Sequence, residues 1–263
     1  MEIGPLISSF LTKDKYNVFY SDIKSTDEIY SEYKNYRNLG TPEEIYRKLV
    51  PIDFVIKDTY KEAVGSRRFA VVFSSHVLEH VRDVILHLQD LCSILIDDGF
   101  LVMCIPDKRY TFDHFREVTP FRDMIDVYLS GNVNSTARLS FDHHFMYHPC
   151  NDPLSYYKDE VSFSTNIEND NQYSQALEYY KLVRDNGQEF NSHNWVFTYT
   201  SFIGFLRDGL RAKLLPYTLY YSNPPQSGEN EFVVILKKDL AILSDYEKCV
   251  AEIKRIISLQ GTT

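Results

Sequence analysis

Residues 69–106 constrain this chain more than any other stretch. FAVVFSS (Phe69–Ser75) is apolar up to its two closing serines. A strand of that kind has no polar face to offer water, so it is expected to be covered on both faces, as in a parallel sheet flanked by helices. From 77 to 96, Val77, Val81, Val84, Ile85, Leu88, Leu91, Cys92 and Leu95 recur at helical spacing, which predicts one helix with one buried face. Asp97-Asp98-Gly99 turns the chain, and FLVMCI (100–105) is a second buried strand closed by Pro106. Strand, helix and strand within about forty residues form a right-handed parallel crossover.

The flanking segments extend this pattern. Residues 16–23 (YNVFYSDI) and 52–57 (IDFVIK) read as strands, with Asp22 and Asp58 at their ends. Thr41-Pro42-Glu43-Glu44 has the cap, proline and early acids of a helix start. Residues 107–188 are rich in His, Asp, Asn and Tyr and lack strong periodicity, apart from short helices expected at 121–129 and 175–183. A long irregular stretch of that kind reads as a lid or substrate loop. Beyond it, 197–210 reads as an amphipathic helix and 214–221 with 231–238 as an antiparallel hairpin at a sheet edge. Residues 240–259 read as a terminal amphipathic helix. With no repeat and no linker, residues 1–263 are expected to form one domain.

Composition sets outer limits. A net charge of −9 argues against non-specific nucleic-acid binding, which needs a basic face. No apolar run reaches the roughly 18 residues of a membrane span, and the Met1-Glu2-Ile3-Gly4-Pro5 start has neither the basic nor the apolar part of a secretory leader. Cys92, Cys104, Cys150 and Cys249 form no CxxC. The expectation is a reduced, cytoplasmic protein.

Three segments carry a resemblance. Glu2-Ile3-Gly4-Pro5 places an acid and a glycine at a strand end, with Asp22 closing the next strand. FAVVFSSHVLEHV runs from a buried strand through Ser74-Ser75-His76 into Leu78-Glu79-His80, read as a helix start. IDDGFLVMCIPDKRY (96–110) is helix end, turn, strand and proline. Together they resemble class I S-adenosylmethionine-dependent methyltransferases, in particular a subgroup with VLEH after the fourth strand. The closest likeness is to methyltransferase-like proteins of bacterial surface-polysaccharide biosynthesis. The resemblance implies a Rossmann-like α/β fold: a mostly parallel sheet, a C-terminal antiparallel hairpin, and an insertion after strand five, 107–194, forming a lid or substrate pocket.

It also implies roles. Gly4 would let the backbone approach the methionine part of S-adenosylmethionine, with Glu2 at the same strand end. Asp22 would accept the ribose hydroxyls, Asp58 the adenine amino group, and Ser75 and His76 would meet the methionine moiety. Glu79 and His80 would cap and orient the loop. The chain departs from the family at three points: Gly4 stands without the usual further glycines, Ala70 replaces an acid, and Asp97-Asp98-Gly99 replaces a proline-glycine turn. Its first strand starts at Met1, so cover for the cofactor is expected from a partner subunit or from the middle insertion.

Methyl transfer to a hydroxyl often needs a base, and histidine suits that role near neutral pH. The candidates are His144, in FDHHFMYHP, and His193, in SHNWVFT, each also readable as an ordinary hydrogen-bonded loop residue. His144 and His148 share the i, i+4 spacing of a metal pair, with His143 and Asp142 beside them, but no third ligand is evident and no metal is assigned. Lys108, Arg109, Tyr110 and Arg116, after strand five, are candidates to hold a phosphate or carboxylate. They read equally as a solvated charge run. The leading expectation is an O-methyltransferase for a small, phosphorylated acceptor such as a nucleotide-linked sugar or a phosphoramidate, with a homodimer compatible with the sequence. A non-catalytic scaffold and a metal-dependent hydrolase using His143, His144 and His148 stay open.

Overall fold

The computed structural model describes residues 1–36, 39–131, 136–148, 153–158, 161, 170–188 and 190–260. Its strands are Glu2–Ile3 (β1), Tyr20–Asp22 (β2), Phe54–Val55 (β3), Phe69–Ser75 (β4), Leu95–Pro106 (β5), Tyr217–Asn223 (β6) and Glu231–Lys238 (β7). They form one seven-stranded sheet in the order β3-β2-β1-β4-β5-β7-β6. The first five strands pair in parallel, and β7 runs antiparallel to both β5 and β6. This is the expected Rossmann-like sheet with a C-terminal antiparallel hairpin. Strand order reverses between β1 and β4, which opens a crevice beyond their carboxyl ends.

The helices are Thr26–Tyr33 (α1), Pro42–Lys48 (α2), Tyr60–Val64 (α3), Val84–Ile94 (α4), Phe121–Ser130 (α5), Thr136–Met146 (α6), Pro153–Tyr157 (α7), Asp170–Asn186 (α8), Tyr199–Arg211 (α9) and Tyr246–Gln260 (α10). The start of α2 is as read. The Thr41 hydroxyl accepts from the Glu44 amide, and the Glu44 carboxylate accepts from the Thr41 amide at 2.8 Å. Val84, Ile85, Leu88, Leu91 and Ile94 on α4 join Val72, Leu101, Met103 and Ile105 of the sheet, and Phe202, Phe232 and Leu236, in a continuous apolar core.

Several boundaries differ from the sequence reading, each for a local reason. The helix expected from Val77 starts only at Val84, because the Asp83 carboxylate accepts from the amides of Ile85 and Leu86 and caps it there. Val77 and Val81 keep the helical spacing because they also pack on the core, from a non-helical turn. The helix ends at Ile94, and residues 96–99 leave the ladder: Phe69 pairs with Leu95, but Val71 already pairs with Phe100. Strand β4 is less covered than its sequence suggests. Val71 is exposed, because β1 pairs only with Phe73 and Ser74. The strands at 16–23 and 52–57 shrink to β2 and β3 at one edge of the sheet. Pro216 delays β6 to Tyr217. Asp245 accepts from the Lys248 amide and splits the terminal helix into a 3-10 turn, Leu240–Leu243, and α10.

The middle of the chain holds more helix than expected. Helices α6 and α8 pack together, yet neither carries the wide apolar stripe that would have shown it in sequence. Cys150 lies outside the described residues. Among those described, no helix is long and apolar enough to cross a membrane.

Two measurements test this packing. Leu88→Ala removes a fully buried side chain and should cost about 2–5 kcal/mol in urea denaturation. Leu86→Ala, exposed on the same helix, should stay within about 0.5 kcal/mol of the parent. Burial pushes the His87 imidazole down to about 4. The unfolded chain therefore binds a proton between about pH 6.5 and pH 4 that the folded chain refuses, and stability falls as pH drops through that window. Comparing pH 7 with pH 5, His87→Gln should lose roughly 2 kcal/mol of the parent's acid destabilisation.

Candidate active site

The crevice between β1 and β4 is shaped by a few residues. Gly4 follows β1 with φ of +65°, and a Cβ there would stand 3.1 Å from Val77 Cγ2. Glycine takes that conformation without strain, and any side chain there would crowd Val77. Glu2 is buried, and its two carboxylate oxygens accept from the amides of Phe10 and Leu11, each at 2.8 Å. It thereby folds the loop after β1 back onto the strand. Asp22 ends β2 and accepts from the Lys24 amide at 3.0 Å; burial raises its pKa despite that bond. Asp58 lies exposed beyond β3, just before the cap residue of α3. Ser75 ends β4. His76 turns out of the sheet with φ of +52°, a conformation that side chains disfavour. Gly4, Asp22, Asp58, Ser75 and His76 thus sit at or beyond the carboxyl ends of parallel strands, while Glu2 is the first residue of β1.

A second group lies immediately past β4. Residues 78–80 form a turn rather than a helix start. A distant segment is tied across it. The Glu79 carbonyl accepts from the amides of Asn194 (2.7 Å) and Trp195 (3.1 Å). The Asn194 side-chain amide donates to the His80 carbonyl at 2.9 Å, and the Trp195 indole donates to the Val81 carbonyl at 2.7 Å. Trp195 is thus an anchor in the core. The same ties bring His193 over the strand ends, where its ring meets His80 edge-on with centroids 4.7 Å apart.

Electrostatics hold this group in one arrangement. His193 Nδ1 donates to Asp113 Oδ2 at 2.5 Å, and Arg116 Nη1 donates to Asp113 Oδ1 at 2.7 Å. Burial alone would raise the Asp113 pKa, but His193 and Arg116 outweigh it and hold the carboxylate well below its ordinary range. Glu79 is 0% exposed, and neither of its carboxylate oxygens has a hydrogen-bond partner among the described residues. Burial raises its pKa, only partly offset by His193 and His76. Burial also pushes His80 down to about 4 and His143 down to about 3. His76 behaves differently. Burial lowers it, but its 2.8 Å bond to Glu231 and the nearby Glu79 prevail and raise it.

The other candidates are placed elsewhere. His144 sits on α6, donating from Nδ1 to the Ser140 carbonyl at 2.8 Å and stacking on Tyr179. Helix α6 ends at Met146, so His148 lies beyond it and the expected i, i+4 face with His144 does not form. His143 accepts at Nδ1 from the His193 amide, which turns that nitrogen away from any shared site with His144. Lys108, Arg109, Tyr110 and Arg116 each have a partner within the chain. The Lys108 ammonium donates to the His114 carbonyl at 2.7 Å, and Arg109 makes a two-pronged pair with Asp107. Tyr110 stacks on Tyr157 at 3.7 Å. Arg116 is buried against Asp113 and the Leu139 carbonyl.

A family model described as a methyltransferase domain matches residues 18–157, just over half of the chain. The chain belongs to this family. No curated protein matches it in sequence. The matched region of this methyltransferase-domain protein holds β2 to β5, Glu79, His80, Asp113 and Arg116. It stops short of His193, which reaches the site from beyond the middle helices.

Sequence reading missed Asp113 and the burial of Glu79. Both left a trace: Asp113 and Arg116 have the i, i+3 spacing of a pair, and Glu79 is a lone acid inside an apolar run. Asp113→Ala would leave the buried Arg116 guanidinium without its carboxylate. It should cost about 3–5 kcal/mol in urea denaturation, and Asp113→Asn, which can still accept a hydrogen bond, clearly less.

Proposed function

We propose that the protein is an S-adenosylmethionine-dependent O-methyltransferase for a small hydroxyl-bearing acceptor. One observation carries this reading: in a methyltransferase-domain chain, the crevice at the strand reversal has a glycine whose Cβ would clash on one side and a half-buried carboxylate on the other. Those features fit the cofactor. The Gly4 backbone would meet its methionine portion, Asp22 would accept the ribose hydroxyls, and Ser75 and His76 would border the same portion from β4. Asp58, farther out, is assigned to the adenine amino group. Glu2 acts through the loop it holds, since its oxygens are taken. When bound, S-adenosylmethionine supplies an electrophilic methyl group on a sulfonium.

The chain's own residues supply position and a proton acceptor. His193 is held by Asp113 with its proton on Nδ1 and its lone pair on Nε2. A carboxylate that fixes the tautomer and stabilises the imidazolium is the arrangement of a general base. We assign that role to His193 rather than to His144, whose Nδ1 is bonded to the Ser140 carbonyl and whose ring is stacked on Tyr179 with no carboxylate bonded to it among the described residues. Residues 107–194 are proposed to cover the acceptor. Lys108, Arg109 and Arg116 are engaged with partners of their own, so their geometry favours a neutral, sugar-type hydroxyl over a phosphate group. The polysaccharide-linked relatives that VLEH resembles fit that class of acceptor.

Titration calorimetry with S-adenosylhomocysteine tests the cofactor half of this reading. The parent protein is expected to bind in the micromolar range, about −8 kcal/mol, and Asp22→Ala at least tenfold more weakly, about 1.4 kcal/mol. A parent that does not bind overturns the cofactor assignment. Undiminished binding by the variant removes Asp22 from it.

A further inference from the structure

We infer that Glu79, His80 and His193 form a binding site for a divalent transition-metal cation of the Zn²⁺ type. Their ligand atoms lie within 4.8 Å of one another. Glu79 Oε1 is 3.8 Å from His80 Nε2 and 3.9 Å from His193 Nε2. Two imidazoles and a carboxylate are the donor set of many three-ligand metal centres.

The hydrogen bonds around the cluster make the case. His80 Nδ1 lies 3.1 Å from the Ser192 carbonyl, which can only accept, so Nδ1 carries the proton. His193 Nδ1 likewise donates to Asp113. In their neutral forms both rings therefore present an Nε2 lone pair to the Glu79 carboxylate, which is buried and has no donor of its own. With both rings neutral, lone pairs thus face each other from three sides, and His76 Nδ1, 3.5 Å from Glu79 Oε1, makes no hydrogen bond to it. Buried polar atoms are costly in that state, and a cation relieves all three at once. The outer bonds are also those a metal site needs: a carbonyl behind one imidazole and a carboxylate behind the other fix the coordinating nitrogens.

Geometry and chemistry favour Zn²⁺ over Mg²⁺. Bonds of about 2.0–2.1 Å at tetrahedral angles put ligand atoms roughly 3.3 Å apart, so the two Glu79–imidazole edges have to close by about half an ångström and the edge between the imidazoles, within 4.8 Å, by up to about 1.5 Å. Mg²⁺ prefers oxygen ligands and an octahedral shell. Three protein ligands leave a coordination position open, and the partly exposed His80 keeps the cluster accessible. His76 Nδ1, 3.5 Å from Glu79 Oε1, borders the same space.

In its catalytic part only, this inference rests on the proposed function, and there it replaces the base role given to His193. With an ion bound, His193 would be a ligand and could not take the proton. An acceptor hydroxyl at the open position would be acidified and pass its proton to solvent, and its oxygen would take the methyl group from the sulfonium, which would leave as the neutral thioether.

Titration calorimetry of the chelator-treated full chain with ZnCl₂, without S-adenosylhomocysteine, tests the site. One equivalent is expected to bind at micromolar affinity or tighter, and Co²⁺ in its place should give the visible absorption of a nitrogen-ligated ion. Glu79→Gln and His80→Ala, each checked for fold by circular dichroism, should weaken binding by about a hundredfold or more, and Asp113→Asn by about tenfold. Asp22→Ala should bind Zn²⁺ like the parent while losing S-adenosylhomocysteine, which separates failure of this inference from failure of the cofactor assignment. No saturable Zn²⁺ binding would mean that a proton fills the cluster, and would overturn the inference. Undiminished binding by both ligand variants would place the ion on other histidines, with the same consequence.

Discussion

The docking of residues 193–195 onto the turn after β4 organises everything around the crevice. Five hydrogen bonds carry it: the amides of Asn194 and Trp195 donate to the Glu79 carbonyl, the Asn194 side chain to the His80 and Val81 carbonyls, and the Trp195 indole to the Val81 carbonyl. A turn whose carbonyls are satisfied from outside can stay non-helical while Leu78 beneath it packs in the core. That explains why a segment with helical spacing does not become a helix. The same bonds deliver His193 to Asp113 and bury Glu79 beneath it. The site therefore depends on a contact more than a hundred residues apart in sequence.

Burial and charge then act together. Asp113 tolerates burial because His193 and Arg116 both donate to it. Glu79 has no such support. Its carboxylate oxygens have no hydrogen-bond partner among the described residues, a state that Arg116 Nε shares, and in their neutral forms the imidazoles of His80 and His193 offer it lone pairs rather than protons. The crevice is otherwise well bonded: Glu2 is held by two amides, Arg109 by Asp107 and His76 by Glu231. An unsatisfied carboxylate in such surroundings marks a place built for something else to bind.

Gly4 and His193, proposed to face the cofactor and the acceptor, approach opposite ends of one short turn. Val77, at its start, approaches Gly4, and Glu79 and His80, at its end, meet His193. Displacement of this turn would reach both sides. Tyr157, stacked on Tyr110, also donates to the carbonyls of Gln226 and Glu229. That ties α7 to the β6–β7 connection.

The sequence by itself determined the sheet. Apolar runs at β4, β5 and β7, the proline-led start of α2 and the periodic face of α4 are local patterns, and local patterns follow from propensity and burial within a few residues. Gly4 and Asp22 were legible for the same reason, since strand ends follow from strand positions. Tertiary structure alone decided which polar residues meet. His144 and His193 looked alike in sequence, but only His193 lies beside Trp195, whose anchoring sets its place. Lys108, Arg109 and Arg116 read as one basic group, and the fold gave each its own partner. Helices α6 and α8 were hidden because their stability comes from packing on each other rather than from a strong stripe of their own. Spacing along a chain fixes periodicity. The meeting of a carboxylate and two imidazoles from segments more than a hundred residues apart is fixed only when the segments dock.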